Sequence, residues 1–95
     1  MAALWIATVD VTDDAAYAEY AAIASEVIPA HGGEFIARGG RYVQLEGRER
    51  TRNVVARFPD VDSAVAAYND PRYQDAVIIA KVASDREIVV VELTD

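Results

Sequence analysis

Cysteine is absent from this sequence, histidine occurs once, and Lys and Arg together number nine against 16 Asp and Glu. The missing cysteine excludes disulfides, zinc–thiolate sites and thiol nucleophiles. The shortage of cations leaves a formal charge of −7. That balance opposes nucleic-acid binding, which needs Lys and Arg to neutralise phosphates, and it disfavours an anionic membrane surface. The acidity serves solubility. No run approaches the ~20 apolar residues of a membrane-spanning helix. The segment Met1 to Ile6 has no basic n-region and runs soon into Asp10, so it does not read as a secretory signal. A cytoplasmic protein is expected, with neither nucleic acid nor membrane as a partner. A single histidine among scattered acids gives no facial triad or zinc spacing, so no metal is expected. No other cofactor is expected either: His31 could serve as a haem ligand, but nothing else marks a haem pocket.

What is present suits one small packed domain over residues 1–95: 53% of the residues are hydrophobic, with no repeat, linker or low-complexity stretch. Leu4 to Val11 is rich in β-branched and aromatic residues and reads as a strand, with Leu4 and Ile6 on one face and Trp5, Ala7 and Val9 on the other. Thr12-Asp13-Asp14 caps a helix whose apolar stripe is Tyr17, Tyr20, Ala21, Ala24, Val27 and Ile28. Gly32 is placed to take the left-handed position after it. Glu34 to Arg38 is a short strand, Gly39-Gly40 a turn or bulge, and Arg41 to Glu46 reads as resumed extended structure. Gly47 to Arg50 reads as a solvated turn, and Asn53 to Phe58 as a strand. Asp60 caps a second helix carrying Val61, Ala64, Val65 and Tyr68, and Asp70-Pro71 starts a third that runs through Tyr73, Val77 and Ala80 to about Ala83. Ser84-Asp85 reads as a turn, and Glu87 to Leu93 as the last strand.

Two strand–helix–strand halves of this kind predict an α+β ferredoxin-like sandwich: a four-stranded antiparallel sheet with its helices on one face. The strands carry apolar residues on both faces, and an apolar sheet face is rarely left in water. A homodimer joined through sheet faces follows as the simplest cover.

The chain also carries a string of motifs: Trp5-Ile6-Ala7, Tyr17 and Tyr20, His31-Gly32-Gly33, Ala37-Arg38-Gly39-Gly40, Leu45-Glu46-Gly47, Phe58-Pro59, and Tyr68-Asn69 with Pro71, Tyr73 and Gln74. It resembles a small bacterial family, the domain of unknown function 1330, over nearly its whole length. The resemblance implies a dimeric α/β-barrel of ferredoxin-like protomers. That superfamily includes cofactor-independent monooxygenases, muconolactone isomerases, haem-degrading enzymes and stress-response proteins, so the likeness bears on fold more than on reaction.

His31 is the candidate general acid or base, because an imidazole titrates near neutrality. It is expected at the mouth of a pocket between the first helix and the sheet; the competing role is to close that helix. Arg38 is the candidate clamp for a carboxylate, or else pairs with Glu46. Tyr17, Tyr20, Tyr68 and Tyr73 sit on core-facing stripes and could line a substrate pocket, with an amide from Asn69; each alone is also ordinary core or turn. Trp5 is expected to pack. Asp13-Asp14 and Asp60 with Asp62 are explained by helix capping. The leading reading is a homodimer that binds a small organic ligand in a pocket between sheet and helices. The alternatives are a cofactor-independent monooxygenase- or isomerase-like enzyme using His31 and Arg38, and a non-catalytic dimer that contacts another protein.

Overall fold

The computed structural model describes residues 1–94. Its elements are β1 (Ala3–Val11), α1 (Asp14–Ala30), β2 (Glu34–Arg38), β3 (Arg52–Phe58), α2 (Val61–Asn69), α3 (Pro71–Ala83) and β4 (Ser84–Glu92). The strands form one antiparallel sheet in the order β2-β3-β1-β4. This is the ferredoxin-like α+β architecture the sequence predicts.

Alternation along the strands separates the two faces. Ala3, Trp5, Ala7 and Val9 of β1 are buried, and the register sets Trp5 beside Ala56 and Val90, and Ala7 beside Val54 and Ile88. All three helices pack on this layer, and the residues they bury there include Tyr17, Tyr20, Ala24, Val27, Ile28, Ala64, Ala67, Tyr73, Ala76 and Val77. The other face of the sheet holds Leu4, Ile6, Val55, Val89 and Val91, and no helix of the chain covers it. Among the described residues, no helix is long and apolar enough to cross a membrane.

Each helix opens on an aspartate. Asp13 accepts the N–H of Ala16 at 3.1 Å, Asp60 that of Ser63 at 2.7 Å, and Asp70 that of Arg72 at 2.9 Å, which satisfies otherwise orphaned donors. α1 ends in a Schellman turn: Gly33 N–H donates to the Ile28 carbonyl and Gly32 N–H to that of Pro29, both at 3.0 Å, with Gly32 at φ +85°. Gly33 is required for a different reason. A Cβ there would lie 2.6 Å from Ile28 Cγ2 and 2.7 Å from Phe58 Cζ, inside the core.

Three local expectations are corrected. Arg41 to Glu46 is not a strand. The β2–β3 ladder ends where Gly39, at φ +69°, donates to the Asn53 carbonyl at 3.0 Å and turns the chain away. Gly47 to Arg50 is not simply solvated, because Arg50 is buried. Its Nη1 donates to the Asp85 carbonyl at 2.8 Å and its Nη2 to Glu87 at 3.0 Å, while Arg48 reaches Asp10 and Asp85. Ser84-Asp85 is not a turn: α3 passes straight into β4, with Ser84 already extended and its Oγ donating to the Ala80 carbonyl at 2.6 Å.

Gly33→Ala should lower the unfolding free energy by about 1–3 kcal/mol through overpacking, whereas Gly40→Ala, whose Cβ would meet nothing within 4 Å, should be close to neutral. Urea denaturation of the two variants checks this; equal stabilities would contradict the close approach.

Candidate functional site

The helix-facing side of β4 carries Arg86, Ile88 and Val90 at alternate positions, with Arg86 beside Val9 and Val90 beside Trp5 on β1. α3 contributes Val77 and Lys81, one turn apart on the same face, and α2 contributes Val65 and Tyr68. Together Trp5, Val65, Tyr68, Val77, Lys81, Arg86, Ile88 and Val90 line a cleft of about 360 Å³, a size that suits a small molecule. Its aromatic wall is continuous with the core. Trp5 and Tyr73 meet edge to face at 5.3 Å, and Tyr68 lies 6.0 Å from Trp5 and 5.5 Å from Tyr73.

Behind the cleft lies a polar cluster. The Tyr20 and Tyr73 hydroxyls are 2.6 Å apart and buried, Arg86 Nη2 donates to Tyr73 Oη at 3.4 Å, and the guanidinium carbon sits 4.4 Å from the centre of the Tyr20 ring. Burial pushes the Tyr73 phenol up, reinforced by Tyr20 and opposed by Arg86. Burial likewise raises Tyr17. Burial disfavours the Arg86 charge, but the phenolic oxygens of Tyr20 and Tyr73 outweigh it and the net movement is upward. At neutral pH, Tyr17 and Tyr73 are therefore phenols beside a guanidinium cation. Arg86 Nη1 is buried without a hydrogen-bond partner among the described residues, as is Arg52 Nε.

The residues singled out from the sequence do not converge on one pocket. Tyr68 lines the cleft, and it is on the cleft wall, 37% exposed, rather than in the core. Tyr73 stands directly behind it, joined to Tyr20, whose ring lies 4.9 Å from that of Tyr17. The expected pocket between α1 and the sheet is nearly closed: Tyr17, Tyr20, Phe35, Arg38 and Arg52 are among the residues enclosing only about 20 Å³ there.

Arg38 points toward α1 because β2 is irregular between Phe35 and Ala37, which returns Arg38 to the helix side of the sheet. It lies 4.0 Å over the Phe35 ring and donates to Ser25 Oγ at 2.7 Å, not to Glu46. The placing of His31 at a pocket mouth is also corrected: its Nε2 lies 2.9 Å from Asp70 Oδ2, at the junction of α2 and α3. Asn69 is the exposed last residue of α2 and lines none of these cavities.

Arg86 and Lys81 are the cleft residues that sequence reasoning passed over. The signal was there: Ile88 and Val90 define the inward phase of β4, and Arg86 shares it, so a cation occupies a position where charge is rare.

An α+β sandwich with an aromatic cleft under its second and third helices is thus the class of protein in hand. The chain belongs to the family of the domain of unknown function DUF1330, whose model matches residues 2–94. Comparison with curated proteins gives no match. Among solved structures, a protein of unknown function from Rhodopseudomonas palustris is similar at TM-score 0.79 and 20% identity, over 99% of this chain and 83% of that one. A protein from Jannaschia sp., described as dimeric, ferredoxin-like and of unknown function, is similar at 0.77 and 17%, over 98% and 100%. SnoaB from Streptomyces nogalater, described as a cofactor-independent oxygenase, is similar at 0.70 and 13%, over 99% and 94%. At these identities the likeness establishes the fold.

Hydrogen bonds from Arg72, and next from His31, hold the Asp70 carboxyl well below the usual carboxylate range. Folding therefore favours its ionised form. That contribution is complete above about pH 5, begins to fall as pH approaches the ordinary aspartate value, and is lost as pH falls through the depressed one. The stability gap between wild type and Asp70→Asn should accordingly shrink from about pH 5 to about pH 2 in urea unfolding. A gap that stays flat across that range would contradict the arrangement.

Proposed function

We propose that this protein is a homodimer, joined through the open faces of its sheets, that binds a small organic molecule in the cleft between β1, β4 and the second and third helices. The observation that carries the binding is the cleft itself: two aromatic and four aliphatic side chains around about 360 Å³, with only Lys81 and Arg86 as charged members. Few polar groups in a largely apolar concavity is the usual composition of a ligand site. The dimer rests on the open face, where Val89 and Val91 are 55% and 46% exposed beside Leu4, Ile6 and Val55. It rests also on the description of similar proteins from Jannaschia sp. and Thermobifida fusca as dimeric.

A second reading, a cofactor-independent oxygenase, is favoured by one specific feature. Arg86 links the cleft to the buried Tyr20–Tyr73 hydroxyl pair, a set of donors suited to stabilising negative charge that develops on a bound substrate. In this reading the charge-stabilising role suggested for Arg38 passes to Arg86, and His31 and Arg38 hold helix ends and edges in place.

Sedimentation at micromolar concentration should give a dimer, and Val89→Asp should shift it to monomer by placing charge in the shared face. A wild-type monomer would remove the dimer. Trp5, the chain's one tryptophan, lines the cleft. Its fluorescence should change saturably with at least one member of a panel of small aromatic compounds, and Val65→Phe, which narrows the cleft, should weaken that response several-fold. A response indifferent to Val65→Phe would place binding elsewhere.

A further inference from the structure

The cleft's charge is at odds with the chain's. The sequence holds 16 acidic residues, yet none lines the cleft, while its single lysine does. Of the other arginines, Arg48 and Arg50 pair with Asp10, Asp85 and Glu87, and Arg72 with Asp70; Arg38, Arg41, Arg52 and Arg57 form no ion pair among the described residues, and none of these four lines this cleft. Arg86 and Lys81 form no ion pair among the described residues. A partly buried guanidinium without a counter-charge is unfavourable, and Arg86 has in addition a buried Nη1 with no acceptor. The unpartnered Arg52 Nε differs in setting: Arg52 borders a gap of about 20 Å³ on one side and, on the other, an open cavity of about 440 Å³ that Asp14 also lines, so a carboxylate already stands where an anion would sit.

The two cations also have a direction. Lys81 is in the last turns of α3 and Arg86 is just inside β4, so they flank the α3–β4 junction. Trp5 and Val90 are a cross-strand pair farther along β4, and Tyr68 stands over Trp5. The cleft therefore offers cationic donors from one side and an aromatic and aliphatic surface along the rest. An inorganic anion would leave that apolar surface unused, and a neutral hydrocarbon would leave the donors unmatched.

We infer that the cleft recognises an organic carboxylate with a flat apolar body of one or two rings, its carboxylate held by Arg86 and Lys81 and its body packed against Trp5, Tyr68 and Ile88. This rests on the reading of the cleft as a ligand site and names the chemistry of the ligand. Arg86 supplies a planar fork that matches a carboxylate, and Lys81 a point charge on a flexible stem.

The test compares 2-naphthoate with 2-naphthamide, a neutral molecule of nearly the same shape, by isothermal titration calorimetry. The carboxylate should bind on the order of tenfold more tightly or better, the discrimination expected of a charge-assisted pair. Added NaCl should weaken the carboxylate and leave the amide unchanged. Lys81→Gln, on the exposed rim, should narrow the preference several-fold, and Arg86→Gln should abolish it. Should Arg86→Gln fail to fold, Lys81→Gln and the salt dependence decide alone. Equal affinity of the two probes, or a preference untouched by Lys81→Gln and by salt, would overturn carboxylate recognition and leave the cleft as a ligand site. Binding of neither probe would overturn both.

Discussion

Trp5 and Tyr73 meet edge to face at 5.3 Å and 90°, both essentially excluded from water, and this contact between a central strand and α3 is the constraint on which the other parts depend. Two large aromatic rings in one layer require small neighbours, and alanine supplies them: Ala3, Ala7, Ala56, Ala64, Ala67, Ala76, Ala80 and Ala83 are all buried. The small residues bring helices and sheet close enough for dense packing. The contact then extends through the Tyr73 hydroxyl to Tyr20 on α1 and to Arg86 on β4, so one aromatic pair ties helices and sheet together. On the far side of Trp5 the packing is incomplete, and the cleft lies there.

Charge is distributed by the same economy of positions. Asp10 and Asp85 are direct cross-strand neighbours on the open face, with Glu87 beside them, an arrangement of like charges that destabilises a sheet unless compensated. Arg48 and Arg50, brought over from the segment after β2, compensate it. These pairs add modestly to stability. Their greater effect is to neutralise the acidic corner of the face on which the proposed partner sits. Asp70 plays a comparable part at the helix junction, capping α3 while binding Arg72 and joining α1 through His31. The lone histidine is thus held by a residue 39 positions away.

Much of the fold was legible because it follows from local rules. Period-two alternation gave the two sheet faces, aspartates gave each helix start, and Gly32 gave the left-handed turn that ends α1. Apart from the turnless passage from α3 into β4, the failures share a cause: each depended on a contact between distant residues. The β2 irregularity that decides which way Arg38 points is one extra residue against β3, and nothing in Phe35-Ile36-Ala37 announces it. Arg50 looked solvated because its partners, Asp85 and Glu87, belong to the far side of the sheet. The candidate cleft shares Tyr68 with the residues singled out from the sequence, and its place in the fold is not legible there. Tyr68 and Tyr73 were identified as a set with Tyr17 and Tyr20, but Tyr68 faces the cleft and the other three lie behind it. That difference is set by how α2 seats on β1 and β4, which spacing alone does not determine.

β4 makes the relation between dimer and cleft explicit. Glu87, Val89 and Val91 point to the open face, and Arg86, Ile88 and Val90 to the helix side. A strand with period two can therefore serve two surfaces at once, with no residue shared between them. A one-residue slip would exchange the two sets and bury Glu87 while exposing Arg86 and the cleft floor. The nine-residue register with β1, from Ala3 opposite Glu92 to Val11 opposite Ser84, guards against that slip. The direct passage from α3 into β4 guards against it as well, because with no turn residues to absorb a shift, the end of α3 sets where Ser84 begins the strand. The junction that flanks the cleft with Lys81 and Arg86 is therefore also the feature that keeps the proposed dimer face pointing away from it.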